Sequence, residues 1–192
     1  MRNHAASLLA IGILCAANAQ AQTPIGHAFP ALFTEDFDLK TAGIGPGFTG
    51  FKASPFGADV ATITALQQTQ NLAINNRQNV LPPIGVNNLY GIGNDVRIQF
   101  GEEIALTRFG GQFSRTNIAV GVSTVTMQFL ANGVQVGNTM TVALPPTGGP
   151  GTSAYVWIGF DTSAIGAFNE VRILGNGTSP GYVGIDSLRA TP

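Results

Sequence analysis

Two groups of side chains in this 192-residue sequence have the types and placement to do chemistry. The first is acidic: Glu35-Asp36-Phe37-Asp38 near the start and Asp186 near the end. In an extended strand Glu35 shares a face with Phe33 and Phe37, and Asp186 shares one with Tyr182, Gly184 and Leu188. A carboxylate on an apolar face is costly unless it is paired or coordinates a metal. Three readings are open: a metal site, an ion pair of Glu35 with Arg189 or Arg97, or a solvated face. The second group is aromatic. In Tyr155-Val156-Trp157-Ile158-Gly159-Phe160, alternation puts Tyr155 and Trp157 on one face and Val156, Ile158 and Phe160 on the other. If the second set is core, Tyr155 and Trp157 form an aromatic pair able to stack on the C–H face of a sugar. Otherwise Trp157, the one tryptophan, packs between two sheets. Tyr90 and Tyr182 are weaker candidates for a ligand platform.

Most catalytic chemistries lack their parts. No catalytic residue is assigned. Cys15 is the single cysteine, and the two histidines are His4 and His27, both near the N-terminus. Serine or cysteine hydrolysis therefore lacks a base, and no Gly-x-Ser-x-Gly elbow occurs. Zinc lacks histidine and cysteine ligands. Glu102-Glu103 reads as a charged turn rather than a glycosidase pair, because adjacent strand residues point apart. Gly43-Ile44-Gly45-Pro46-Gly47 has no strand-to-helix context for a nucleotide. A hydrolase or lyase working with carboxylates alone is the remaining enzymatic alternative.

The elements that must position these groups begin after an export signal. Arg2 precedes an apolar run across Ala5 to Ala17 that is too short to span a bilayer. Small-x-small cleavage sites follow at Ala17-Asn18-Ala19 and Ala19-Gln20-Ala21. Residues 1–21 are expected to be a signal peptide and 22–192 a single domain, secreted to the periplasm or the extracellular space. Removal of Arg2 leaves eight basic against ten acidic residues. With no basic patch, neither nucleic acid nor an anionic membrane is an expected partner, and no second membrane span follows the signal. Between Arg115 and Asp161 the chain carries no charged side chain, so the surface favours neutral, hydroxyl-rich ligands. Uncharged edge strands are also poorly protected from pairing with another chain, which admits self-association.

Period-two alternation predicts strands at Val96–Phe100, Val125–Phe129, Met140–Leu144, Ala154–Phe160, Glu170–Leu174 and Gly181–Arg189. Asn132-Gly133 supplies the positive φ angles of a tight hairpin. Leu32–Asp38, Phe48–Phe51 and Asp59–Leu66 are further strand candidates. Gln67–Asn79 reads as a short helix or a long loop. Strands at this spacing, divided by Gly, Pro and Asn turns, predict an all-β antiparallel sandwich or jelly roll.

The ordered segments Val96-Arg97-Ile98-Gln99-Phe100, Phe109-Gly110, Val125–Leu130 with Asn132-Gly133, Trp157-Ile158-Gly159-Phe160, Val171-Arg172-Ile173 and Gly184-Ile185-Asp186-Ser187-Leu188 resemble a known family. It is the secreted bacterial β-sandwich domain found in PEP-CTERM proteins, similar in turn to galactose-binding-like jelly rolls and carbohydrate-binding modules. The sequence departs from it in closing on Ala190-Thr191-Pro192 without a Pro-Glu-Pro tail, and in Ser187, where an acid or amide is usual. The resemblance implies a structural calcium ion held by Glu35 and Asp186, with Asp36 or Asp38 assisting, since calcium takes several oxygen ligands. It also implies binding of a neutral polysaccharide through Trp157 and Tyr155. The resulting expectation is an exported, non-enzymatic sandwich that binds carbohydrate or another extracellular matrix component. The alternative is a structural, self-associating protein of an envelope or biofilm.

Overall fold

Alternating apolar residues become strands wherever one face can be buried, and the computed structural model of the chain shows how far this carries. It describes residues 21–37, 43–44, 56, 60–65, 71–75, 88–92, 96–115, 124–144, 155–175 and 183–192. The strands are β1 (Thr23–Ile25), β2 (Phe33–Glu35), β3 (Gly43–Ile44), β4 (Ala61–Ala65), β5 (Asn71–Asn75), β6 (Asn88–Ile92) and β7 (Val96–Phe100). They continue with β8 (Arg108–Arg115), β9 (Thr124–Ala131), β10 (Val134–Ala143), β11 (Val156–Asp161), β12 (Glu170–Gly175) and β13 (Val183–Thr191). No helix occurs among the described residues.

Two antiparallel sheets result, and the protein is an all-β sandwich. An eight-stranded sheet runs β1-β11-β8-β13-β6-β5-β3, with β2 also pairing β13, and a five-stranded sheet runs β10-β9-β12-β7-β4. Strands adjacent in sequence often fall in different sheets: β7 lies in the smaller and β8 in the larger, as do β10 and β11. The core between the sheets takes Val96, Ile98 and Phe100 from β7, Val125, Met127 and Phe129 from β9, and Ile158 and Phe160 from β11. Phe129 sits at its centre, with ring centroids 4.8 Å from Phe168, 5.9 Å from Phe160 and 6.4 Å from Phe109. Tilted and edge-on pairs of this kind add to area burial because ring edges are positive and faces negative.

The expected hairpin is present: Asn132 (φ 49°) and Gly133 (φ 83°) form the β9–β10 turn. The strand expectations at Val96–Phe100, Val125–Phe129 and Glu170–Leu174 fall on observed strands; Met140–Leu144 does so as far as Ala143, Ala154–Phe160 from Val156 and Gly181–Arg189 from Val183, with Ala154, Gly181 and Tyr182 outside the described residues. The Gln67–Asn79 reading is corrected, since Asn71–Asn75 forms β5 between β3 and β6. An Asn-flanked strand of five residues offers little periodicity, and pairing on both sides decides it. Phe48–Phe51 lies outside the described residues, as does the signal segment 1–20. His27 follows β1, whose Thr23, Pro24 and Ile25 pair Asp161, Phe160 and Gly159 of β11.

Candidate functional site

Trp157 faces outward from the eight-stranded sheet. Its strand neighbours Ile158 and Phe160 are core, as the first of the two sequence readings requires, and it lies directly opposite Gln112 of β8. The ring rests on a floor made by two glycines. A Cβ added to Gly110 would come within 2.7 Å of Trp157 Cζ2, and one added to Gly159 within 3.0 Å of Nε1. Phe29 meets the indole edge-on, with centroids 5.9 Å apart and planes at 84°. Arg189 Nη1 donates to the Phe29 carbonyl at 2.9 Å and so holds the N-terminal segment over this face. Trp157 is therefore half-buried against its own sheet and not packed between sheets. Its Nε1 is buried with no hydrogen-bond partner among the described residues. Tyr155, just before β11, is also half-buried.

The acidic group is divided by the sheet. Glu35 pairs with Leu188, a core residue, and so faces inward. Its Oε1 accepts from Phe37 N at 2.7 Å and its Oε2 from Phe56 N at 3.0 Å. Both donor residues have left-handed backbone, with φ 62° at Phe37 and 68° at Phe56. One carboxylate thus fixes two strained turns, and neither Arg97 nor Arg189 is its hydrogen-bond partner in these contacts. Asp186 pairs with Gln112 on the outer side of the same sheet, beside Trp157. A β-bulge explains the change from the sequence reading. The register of β13 against β8 slips between Asp186 and Arg189, and Ser187 adopts φ 49°. The extra residue flips Asp186 away from the face of Leu188. Gly111 provides the space opposite, since a Cβ there would lie 2.7 Å from Leu188 Cδ2. Asp186 is fully buried, and its Oδ1 accepts from Ser187 N at 2.6 Å. Asp36 is exposed. Glu35 and Asp186 do not converge, and among the described residues no three acidic, histidine or cysteine side chains form a metal-sized group. Among the described residues these acids form no ready donor set for the calcium ion that the family resemblance implies, and Asp38, its remaining candidate helper, lies outside them.

A polar arrangement that the sequence reading did not single out occupies the outer face of the five-stranded sheet. Antiparallel pairing of β7 and β12 sets Arg97 directly opposite Arg172. Glu170, 1% exposed, joins them: Oε2 accepts from Arg97 Nη2 at 2.8 Å and Oε1 from Arg172 Nε at 2.6 Å. Burial opposes the charge on Glu170, but the hydrogen bonds and charges of Arg97 and Arg172 outweigh it and hold its pKa below the usual carboxylate range. Arg97 Nη2 also donates to Gln99 Oε1 at 2.6 Å. Next to this triad is a groove of about 680 Å³ lined in part by Arg97, Gln99, Glu102, Asn132 and Asn169. Asn169 shapes it: Nδ2 donates to Asn132 Oδ1 and Oδ1 accepts from Asn132 N, each at 2.9 Å, which ties the β9–β10 turn to β12. Glu102 and Glu103 are exposed at the turn that follows β7. The signal for the triad was present in the repeated Val-Arg-Ile triplets, Val96-Arg97-Ile98 and Val171-Arg172-Ile173, which pair centre to centre.

No protein-family model matches the chain, and no curated protein matches it in sequence. Among solved structures it is similar to the K2 cleaved adhesin domain of Lys-gingipain, with 13% identity, coverage of 83% of this chain and 97% of that one, and a TM-score of 0.56. Lower likenesses are to the K1 cleaved adhesin domain of Lys-gingipain from Porphyromonas gingivalis W83 (9% identity, 88% and 98% coverage, TM-score 0.40). A glycoside hydrolase family 43 arabinoxylan arabinofuranohydrolase from Bacillus subtilis gives 17% identity, 62% and 24% coverage, and a TM-score of 0.38. What the chain shares with the K2 domain is the β-sandwich fold.

Proposed function

We propose that this chain is an exported, non-catalytic β-sandwich that binds a neutral polysaccharide or another component of the extracellular matrix. The observation that carries the reading is the placement of Trp157, half-buried on a glycine floor on the outside of the larger sheet with Tyr155 close by in sequence. An indole in that position offers apolar ring surface while its own rotamer is fixed, which lowers the entropy cost of engaging a sugar. The adhesin origin of the K2 domain supports a binding role on an extracellular surface. The resemblance to PEP-CTERM-type secreted domains supports export. No helix among the described residues is long and apolar enough to cross a membrane. The Glu170 carboxylate, the most enclosed acid beside the groove, has both oxygens engaged by arginine, an arrangement suited to holding structure and not to proton transfer.

Affinity electrophoresis against a panel of neutral polysaccharides tests this reading, with wild type compared with Trp157→Ala. Retardation by at least one polymer, lost in the variant, is expected. No retardation by any member overturns it.

A second reading, self-association, draws on β10. This strand is the edge of the five-stranded sheet, ten residues long with no charge and no proline, and Val134 is 70% exposed. Away from Asn138, where Gln22 is bound, such an edge is open to pairing with another chain.

A further inference from the structure

We propose that Arg97 and Arg172 form a carboxylate-binding site for an acidic polysaccharide on the outer face of the five-stranded sheet. Like charges placed directly opposite each other on adjacent strands are destabilising, so the pair calls for a compensating anion. Glu170 provides one carboxylate for two guanidinium groups, which leaves a local charge of about +1 in a chain with more acidic than basic residues. The cations are not enclosed: the Arg97 side chain is 40% exposed and that of Arg172 33%. Glu170 uses only Nε of Arg172 and Nη2 of Arg97. Among the described residues both terminal nitrogens of Arg172 and Nη1 of Arg97 therefore remain as donors, held by a buried carboxylate beneath them.

Among the described residues the rest of the face is neutral. Gln128 lies opposite Arg172 on β9 and Thr64 opposite Arg97 on β4. Gln128 Nε2 is engaged by Thr139 Oγ1 at 3.2 Å, so the flanking amide is also held. The nearest competing acid along the groove is Glu102, in the turn beyond the end of β7. A guanidinium fork matches a planar carboxylate in two parallel hydrogen bonds, which an ammonium group cannot do. The groove beside Arg97 gives the neighbouring sugar rings of a polymer a place to lie against Asn132 and Gly133. The choice of a polysaccharide as the bearer of the carboxylate rests on the binding role proposed above. The choice of a carboxylate rests on the arginine pair.

The test is affinity electrophoresis in gels containing polygalacturonate or its fully methyl-esterified form, which share one backbone and differ in whether the carboxyl group is ionised or capped as an ester. Wild type should be retarded by polygalacturonate at least tenfold more strongly than by the ester. Arg172→Gln and Arg97→Lys should each lose most of that difference, and raising salt should weaken it. A far-UV circular dichroism melt of each variant separates lost binding from lost folding, and Arg97→Lys keeps the charge next to Glu170 while removing the fork. Equal retardation by both polymers, no retardation by polygalacturonate, or full retention in both folded variants overturns the proposal. Trp157-dependent binding to neutral polymers alongside no response to polygalacturonate would leave the proposed function standing and reject this site. Arginine-dependent binding to polygalacturonate with no neutral ligand would do the reverse.

Discussion

Gln22 and Asn138 are joined at both ends of an amide. Gln22 Nε2 donates to the Asn138 carbonyl at 2.5 Å, and Asn138 N donates back to Gln22 Oε1 at 3.1 Å. The side-chain carboxamide thereby takes the place that a peptide unit of a further strand would take beside β10. The contact falls where the β9–β10 register is broken, between Val136 and Met140. Gly137 (φ 68°) permits the approach, since a Cβ there would lie 2.9 Å from Gln22 Cδ. Gln22 itself is buried while Asn138 is exposed, so the carboxamide is shielded from water on its own side and loss of its partner is costly.

Gln22→Ala is accordingly expected to lower stability by about 1–2 kcal/mol and to unblock the middle of the β10 edge. A thermal melt reads the first effect. Light scattering over a concentration series reads the second, with wild type staying smaller than the variant at equal concentration. A variant as stable and as monomeric as wild type would show that the amide neither ties nor guards this edge.

Glu35→Gln should cost about 2–3 kcal/mol, because a neutral amide offers one acceptor oxygen where two backbone N–H groups at Phe37 and Phe56 require one each. The same geometry predicts no effect of EDTA on the wild-type melting temperature. A lower transition with EDTA, restored by calcium, would mean that side chains outside the described residues complete a metal site with Glu35 or Asp186.

Acid should unfold the protein in a definite direction. Glu170 and Asp161 both have pKa values held below the ordinary carboxylate range. In each case burial works against the charge and is outweighed, at Glu170 by Arg97 and Arg172 and at Asp161 by Ser163 and Arg108. A depressed folded-state pKa gives stability that is fully present above the unfolded-state value, near pH 4, and is lost as pH falls through the folded-state value. The melting temperature should thus be flat from neutrality to about pH 5 and fall below about pH 4. Glu170→Gln should be less stable at pH 7 by about 2 kcal/mol and show a shallower acid fall, because the titrating group is gone. A parallel acid fall in the variant would remove Glu170 from this account.

Gly110→Ala is expected to destabilise the larger sheet more than a surface substitution would. The new methyl group meets Trp157 Cζ2 at 2.7 Å and, less forgivingly, the Gly159 main chain at 2.9 Å. A loss of about 1–3 kcal/mol and a change in tryptophan emission are the expected results, since Trp157 is the one such fluorophore. Unchanged emission would mean that the indole does not rest on Gly110.

Much of this was legible in the residues. Val96, Ile98 and Phe100, or Val125, Met127 and Phe129, announce their inward faces because side chains alternate strictly along a strand. The same rule leaves Trp157 two placements, and only the burial of Ile158 and Phe160 in the structure selects the outer face. Asp186 was assigned to the wrong one because Ser187 inserts a single extra residue, and a bulge leaves no periodic trace in one strand read alone. The Arg97–Glu170–Arg172 triad was hidden for a different reason. Arg97 lies more than seventy residues from Glu170 and Arg172 and meets them only through the pairing of β7 with β12.

The sequence by itself determined the all-β class, the Asn132-Gly133 hairpin, the inward faces of the regular strands and the scarcity of catalytic groups. These follow from local rules: side-chain period, allowed φ angles and residue type. Tertiary structure decided which strands share a sheet, where Gln22 and Phe29 dock, that Glu35 and Asp186 part to opposite faces, and that two arginines stand opposite each other over a buried glutamate. Those outcomes depend on register between distant segments, which is set by burial of the whole core and not by any stretch of residues read alone.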